Sequence, residues 1–168
     1  MPARTEGAAL RDRLDALQAA VNCVSISVTR LTPGPASTDP WELGARQPIR
    51  LSPGRVNLAL SIKEFVVAVR SRATWTAEVS GYEYALLDSR SLSELFVYHW
   101  HPTGVSHIDT PHLHPGAALV AALGQKRSIH LPTGHVGLPE FIGMLIREFE
   151  VRPARPDWAR VLSRLEGP

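Results

Sequence analysis

All seven histidines of this 168-residue chain fall between positions 99 and 135. They sit in three pieces: Tyr98-His-Trp-His-Pro102, His107-Ile-Asp-Thr-Pro-His-Leu-His-Pro115 and Ser128-Ile-His-Leu-Pro-Thr-Gly-His135. Two of these pieces hold a His-x-His, and on a strand residues two apart point to the same face. His99 and His101 are therefore expected to share a face with Leu95 and Val97, with Tyr98 and Trp100 on the other. His112 and His114 pair in the same way if their segment is extended, which the flanking Pro111 and Pro115 favour. A chain reversal near Thr103-Gly104 would bring the two pairs together.

Three chemistries compete for such a cluster. Imidazole titrates near neutral pH, so one ring can remove a proton while another donates one. RNA cleavage by attack of the 2′-hydroxyl uses such a pair with a cation on the phosphate, and Lys126, Arg127 or Arg90 can supply it. The second chemistry is metal ligation. His99, His101, His112 and His114 are the expected ligands of a zinc or other divalent ion, and Asp109 can add a carboxylate. No His-Glu-x-x-His signature accompanies them. The third reading is structural, with the rings satisfying local hydrogen bonds at the rim of a core. His130 and Trp100 join His101, Lys126 and Arg127 as expected substrate contacts, whereas His107 and His135 fall on expected loops.

Other motifs are missing. There is no Gly-x-Gly-x-x-Gly, no phosphate-binding Gly-Lys-Ser/Thr and no Gly-x-Ser-x-Gly. The single cysteine, Cys23, excludes an internal disulfide and a multi-cysteine zinc site. It falls in an apolar segment expected to be a strand, where it reads as inert packing. Glu78, Glu83, Asp88 and Glu94 read as solvated charges flanking the central strands.

The length suits one domain over residues 1–168, and 44% apolar residues provide for a packed core. No apolar run reaches the roughly 20 residues of a membrane-spanning helix, and the N-terminus lacks a secretory pattern, so no membrane and a cytoplasmic setting are expected. The net charge is only +2, with arginine supplying nearly all of the 18 cations. That excess is compatible with phosphate recognition, and equally with a GC-rich coding sequence.

The elements that must position the histidines follow from periodicity. Leu10, Leu14, Leu17 and Val21 predict an amphipathic helix over about residues 7–22 capped by Thr5. Val24, Ile26 and Val28 predict a strand. Residues 32–48 are expected to be a flexible loop, most clearly over the Pro-rich 32–40. Alternation then predicts short strands at Val56–Leu60, Phe65–Val69, Trp75–Val79, Tyr82–Leu87 and Leu95–His101. The expected breaks are Pro53-Gly54, Ser80-Gly81 and Asp88–Ser91. Leu138, Phe141, Ile142, Leu145 and Phe149 make a helical stripe with Pro139 in its first turn, and Asp157 is expected to cap a last helix bearing Trp158, Val161, Leu162 and Leu165. The predicted fold is α+β: an antiparallel meander sheet with an N-terminal helix and two C-terminal helices on one face.

Tyr82-Glu-Tyr-Ala-Leu-Leu87, Tyr98-His-Trp-His-Pro102 and Thr110-Pro-His-Leu-His114 together resemble the TumE-type toxins of bacterial toxin–antitoxin pairs, over about residues 55–150. The resemblance implies a ribonuclease-like toxin, held by a partner antitoxin that is often nucleotidyltransferase-like. It brings forward Tyr98, His99, His112 and His114 as catalytic positions, with no obligatory metal. The N-terminal helix, the Pro-rich loop and Ile129–His135 depart from the small toxins. Against this stand two alternatives: a histidine-ligated metal enzyme or domain, and a non-catalytic interaction module.

Overall fold

A computed structural model describes residues 3–25, 30–34, 40–54, 57–103, 108–124 and 129–165. The elements run α1 (Glu6–Val21), β1 (Thr32–Pro33), β2 (Trp41–Gly44), β3 (Ile49–Arg50), β4 (Leu58–Ser71), β5 (Thr74–Asp88), β6 (Glu94–Trp100), β7 (His112–Pro115), α2 (Ala117–Ala122), β8 (Leu131–Pro132), α3 (Leu138–Arg147) and α4 (Trp158–Leu165). This is the expected α+β architecture. Every strand pairing is antiparallel, in the order β1-β2-β4-β5-β6-β7-β8, and β3 takes a second stretch of the β4 edge beside β2.

The sheet is organised by one long hairpin rather than by short strands. β4 and β5 run 14 and 15 residues and are joined by a tight turn at Arg72-Ala73, with Arg72 at φ 54°. Ser80-Gly81 does not break β5. Phe65 pairs with Gly81 and Val66 with Val79, so Ser80 is the extra residue of a β-bulge, and its hydroxyl donates to the Phe65 carbonyl. A Cβ at Gly81 would lie 2.8 Å from the Trp100 carbonyl oxygen, so only glycine lets β6 approach the bulge this closely. The expected loop over 32–48 is also partly strand, since β1 and β2 pair within it; residues 35–39 lie outside the described residues. The strand expected at Val24–Val28 is not formed at its described end: Cys23 and Val24 belong to a turn after α1, and residues 26–29 lie outside the described set.

α1, α3 and α4 cover one face. Leu17, Val21, Leu60, Ile62, Tyr84, Leu86, Phe141, Ile142 and Leu145 are all buried there in one cluster. α1 starts at Thr5, whose side chain accepts from the Ala8 N–H as expected. α3 places Phe141 against Tyr84, Phe96 and Tyr98, with ring centroids 5.7–6.1 Å apart. Those contacts fix which face of β6 is core, and so which face carries His99. Inside this core lies a carboxylate: Glu64 on β4 is fully buried and takes two hydrogen bonds from the Arg13 guanidinium of α1, at 2.8 and 2.7 Å, and a short one from the Tyr84 hydroxyl. Burial, reinforced by the Glu64 charge, holds the Tyr84 phenol well above its ordinary pKa, so it remains a donor.

The other face carries a small apolar group, Ala59, Ala85, Leu87 and Val97, and then the histidines. α2, a short helix the periodicity did not predict, has no buried residue. No helix among the described residues is long and apolar enough to cross a membrane.

A five-imidazole candidate metal centre

Strand register builds the site. Lys63 on β4 is opposite Glu83 on β5, Glu83 opposite His99 on β6, and His99 opposite His112 on β7. These four residues form one row across the sheet face away from the helices. One step along, Val97 is opposite His114; in the other direction His101 follows His99. The two His-x-His pairs therefore meet on adjacent strands, as the two-residue period predicted. His130, just before β8, completes the group, with ring centroids 5.0 Å from His112 and 4.4 Å from His114. His99 lies 4.4 Å from His101 and 5.4 Å from His114 by the same measure.

His112 is the anchor. It is only 2% exposed, and its Nδ1 lies 2.7 Å from the Thr110 carbonyl oxygen. A carbonyl only accepts, so Nδ1 carries a proton, and in the uncharged form of the ring the lone pair is at Nε2. That Nε2 lies 3.2 Å from His99 Nδ1 and 3.0 Å from His114 Nε2. One lone pair can accept from one of these neighbours and not from both. At most one of the two contacts is then a well-directed hydrogen bond, and a cation between the nitrogens would be held by their lone pairs instead. Ligands about 2.0–2.1 Å from a tetrahedral zinc lie roughly 3.3 Å from one another, close to the spacing found here. The ligand atoms of His99, His112 and His114 all lie within 4.8 Å of one another, as do those of Glu83, His99 and His101.

Burial keeps the outer rings uncharged. The His99 pKa falls from its ordinary 6.5 to about 4, chiefly through desolvation and then through His101, His112 and His114; Glu83 opposes. His101 and His114 are lowered too, first by desolvation, with Lys63 and His112 acting on His101 and with His130 and His112 on His114. Neutral imidazoles are the ligating form, and a ring held below its ordinary pKa is a poor proton donor at neutral pH. Stability acquires a pH dependence from this. Between pH 6.5 and about 4 the unfolded chain binds a proton at His99 that the folded chain does not, and His101 and His114 act in the same direction below 6.5, so stability rises with pH through that window. The metal-free protein is expected to melt at progressively lower temperature as pH falls from 6.5 towards 4. A variant with His99, His101 and His114 replaced by glutamine should lack most of that slope; calorimetry across the window, with chelator present, checks it.

The other expected residues are placed as follows. Tyr98 and Trp100 do not join the imidazoles. Tyr98 packs in the core against Phe141, and Trp100 packs on Tyr82 and His135 while its indole N–H donates to the Asp109 carbonyl. Phe96 and Tyr98 face Phe141 of α3, and Trp100, in the same parity, lies on that side of β6 and not on the side of His99. Asp109 offers its backbone rather than its carboxylate. Arg90 lies in the β5–β6 turn, at the opposite end of that hairpin from the Glu83–His99 pair. Lys126, Arg127 and His107 lie outside the described residues. Cys23 is buried at the end of α1, with its thiol pKa raised first by desolvation, so it is packing and not a nucleophile.

Two members of the site were missed in the sequence. Lys63 and Glu83 are only half-buried, but their register places them in the histidine row, with Nζ and Oε1 3.5 Å apart. The available signal was parity: Glu83, Ala85 and Leu87 share a face, as do His99 and Val97. Comparison with protein-family models, with curated proteins and with solved structures finds no match to this chain.

Proposed function

We propose that the chain is a metal-binding protein of the three-histidine kind, with His99, His112 and His114 holding one divalent transition-metal ion of the zinc class. The observation that carries this reading is the grouping of three imidazole nitrogens within 4.8 Å of one another, with His112 Nε2 3.2 and 3.0 Å from the other two and its Nδ1 proton committed to Thr110. Three neutral nitrogens suit zinc and its neighbours better than magnesium or calcium. His99 and His114 are only partly buried, so a fourth position on the solvent side is open to water or substrate. That is the ligand count of catalytic rather than structural zinc sites, where the ion brings a bound water to a pKa near about 7. The activity this favours is metal-assisted hydrolysis, with His101, Glu83 and Lys63 beside the centre. The lone buried cysteine favours a reducing, cytoplasmic setting.

The test is metal analysis of protein purified without added metal, then zinc titration of the chelator-stripped chain. One equivalent bound tightly, with a rise in melting temperature, is expected. A chain that neither retains nor takes up zinc, cobalt or nickel would overturn the reading.

A ribonuclease-like toxin acting without metal is the second reading. It is supported by the direct His99–His112 contact and by Lys63, a cation in the same row able to meet a phosphate. An antitoxin partner belongs to this reading. RNA cleavage that persists in chelator and is lost in His112→Ala would favour it over the metal centre.

A further inference from the structure

His112 is held in its ligating tautomer by Thr110, and His99 needs an equivalent restraint. If His99 Nδ1 faces the centre, its proton must sit on Nε2, on the side of the ring away from β7. The residue directly opposite His99 on the β5 side is Glu83. The Glu83 carboxylate, the His99 ring and the His101 ring offer ligand atoms all within 4.8 Å of one another. Beyond Glu83 in the same row is Lys63, whose ammonium lies 3.5 Å from Glu83 Oε1. Among the described residues no other carboxylate shares a group with these imidazoles.

We infer that Glu83 is the positioning residue of the centre: it accepts the Nε2–H of His99 and so turns Nδ1, with its lone pair, toward His112 and His114. This rests on the three-histidine reading and deepens it. Lys63, Glu83, His99, the ion, His112 and the Thr110 carbonyl then form one polarised line across four strands. Metal-ligating histidines generally donate their second N–H to a carboxylate or carbonyl, and losing that partner costs about 10–100-fold in metal affinity. Here Thr110 restrains His112 from one side, and Glu83 stands opposite His99 on the other. His101, with its ring edge-on to Phe65 at 4.6 Å, is the third member of the group that Glu83 and His99 form.

The experiment uses the full chain with Glu83→Leu, which removes the acceptor, and Glu83→Gln, which keeps an uncharged one. Zinc affinity is measured by competition with a chromophoric chelator, and ring tautomers by nitrogen-15 spectroscopy of the metal-free protein. Glu83→Leu is expected to bind zinc about 10–100-fold more weakly at unchanged one-to-one stoichiometry, with Glu83→Gln between it and the parent. His99 should be the Nε2–H tautomer in the parent and lose that preference in Glu83→Leu, while His112 stays Nδ1–H in both. An unchanged His99 tautomer in Glu83→Leu overturns the inference. So does a parent that binds two ions and a Glu83→Leu variant that binds one, because Glu83 is then itself a ligand. If the parent binds no metal, the three-histidine reading fails, and the tautomer shift alone still decides the role of Glu83.

Discussion

Replacing His112 with alanine is expected to abolish tight zinc binding, with a loss greater than the 10–100-fold that follows removal of an outer partner. His112 has this weight because it is the middle member: its Nε2 is within 3.2 Å of both His99 and His114, and its own ring is locked by Thr110. Truncation removes a ligand and also opens a cavity, since the residue is 2% exposed. His114→Ala separates these effects. His114 is only partly buried, so its loss should spare the fold and still leave two ligands where three are needed. Isothermal titration with zinc, alongside circular dichroism, reads both. His114→Ala binding zinc as tightly as the parent would exclude it as a ligand. His130→Ala is the contrasting case, expected to weaken binding far less, because its ring packs on His112 and His114 outside the converging triad.

The second large effect lies on the opposite face. Arg13→Met is expected to destabilise the fold by about 3–5 kcal/mol, because it leaves the Glu64 carboxylate buried without its cation. Glu64 has no exposed surface, and Tyr84 can satisfy only part of one oxygen's capacity. Combining Arg13→Met with Glu64→Leu should recover most of the loss, since two apolar side chains in place of a buried pair are often neutral or stabilising. Denaturant titration of the two single variants and the double variant forms a cycle that measures the coupling. An Arg13→Met loss below about 1 kcal/mol would show that water reaches Glu64. The pair spans 51 residues of chain and ties α1 to β4. Loosening it should disturb the helix-covered face first and the histidine row only through the shared strands.

Helix α1 with its Thr5 cap, the α3 stripe, and the same-face placement of His99 with His101 and of His112 with His114 all follow from local periodicity, which acts over a few residues. The opposite placement of Tyr98 and Trp100 follows from the same parity. Tyr98 becomes a candidate through the motif resemblance and Trp100 through its place between two histidines, neither of which takes parity into account. What parity cannot supply is register. Ser80-Gly81 has turn composition, but pairing with β4 absorbs it as a bulge and keeps β5 continuous, because each long strand satisfies the other's backbone. Only that register sets Lys63, Glu83, His99 and His112 in one line, and only burial against α1 makes an ordinary glutamate at position 64 a buried ion. The residue types and two-residue spacing of the histidine window were thus written locally. Which nitrogens converge, and which carboxylate stands behind them, depended on side chains from four strands meeting across distances that no local pattern encodes.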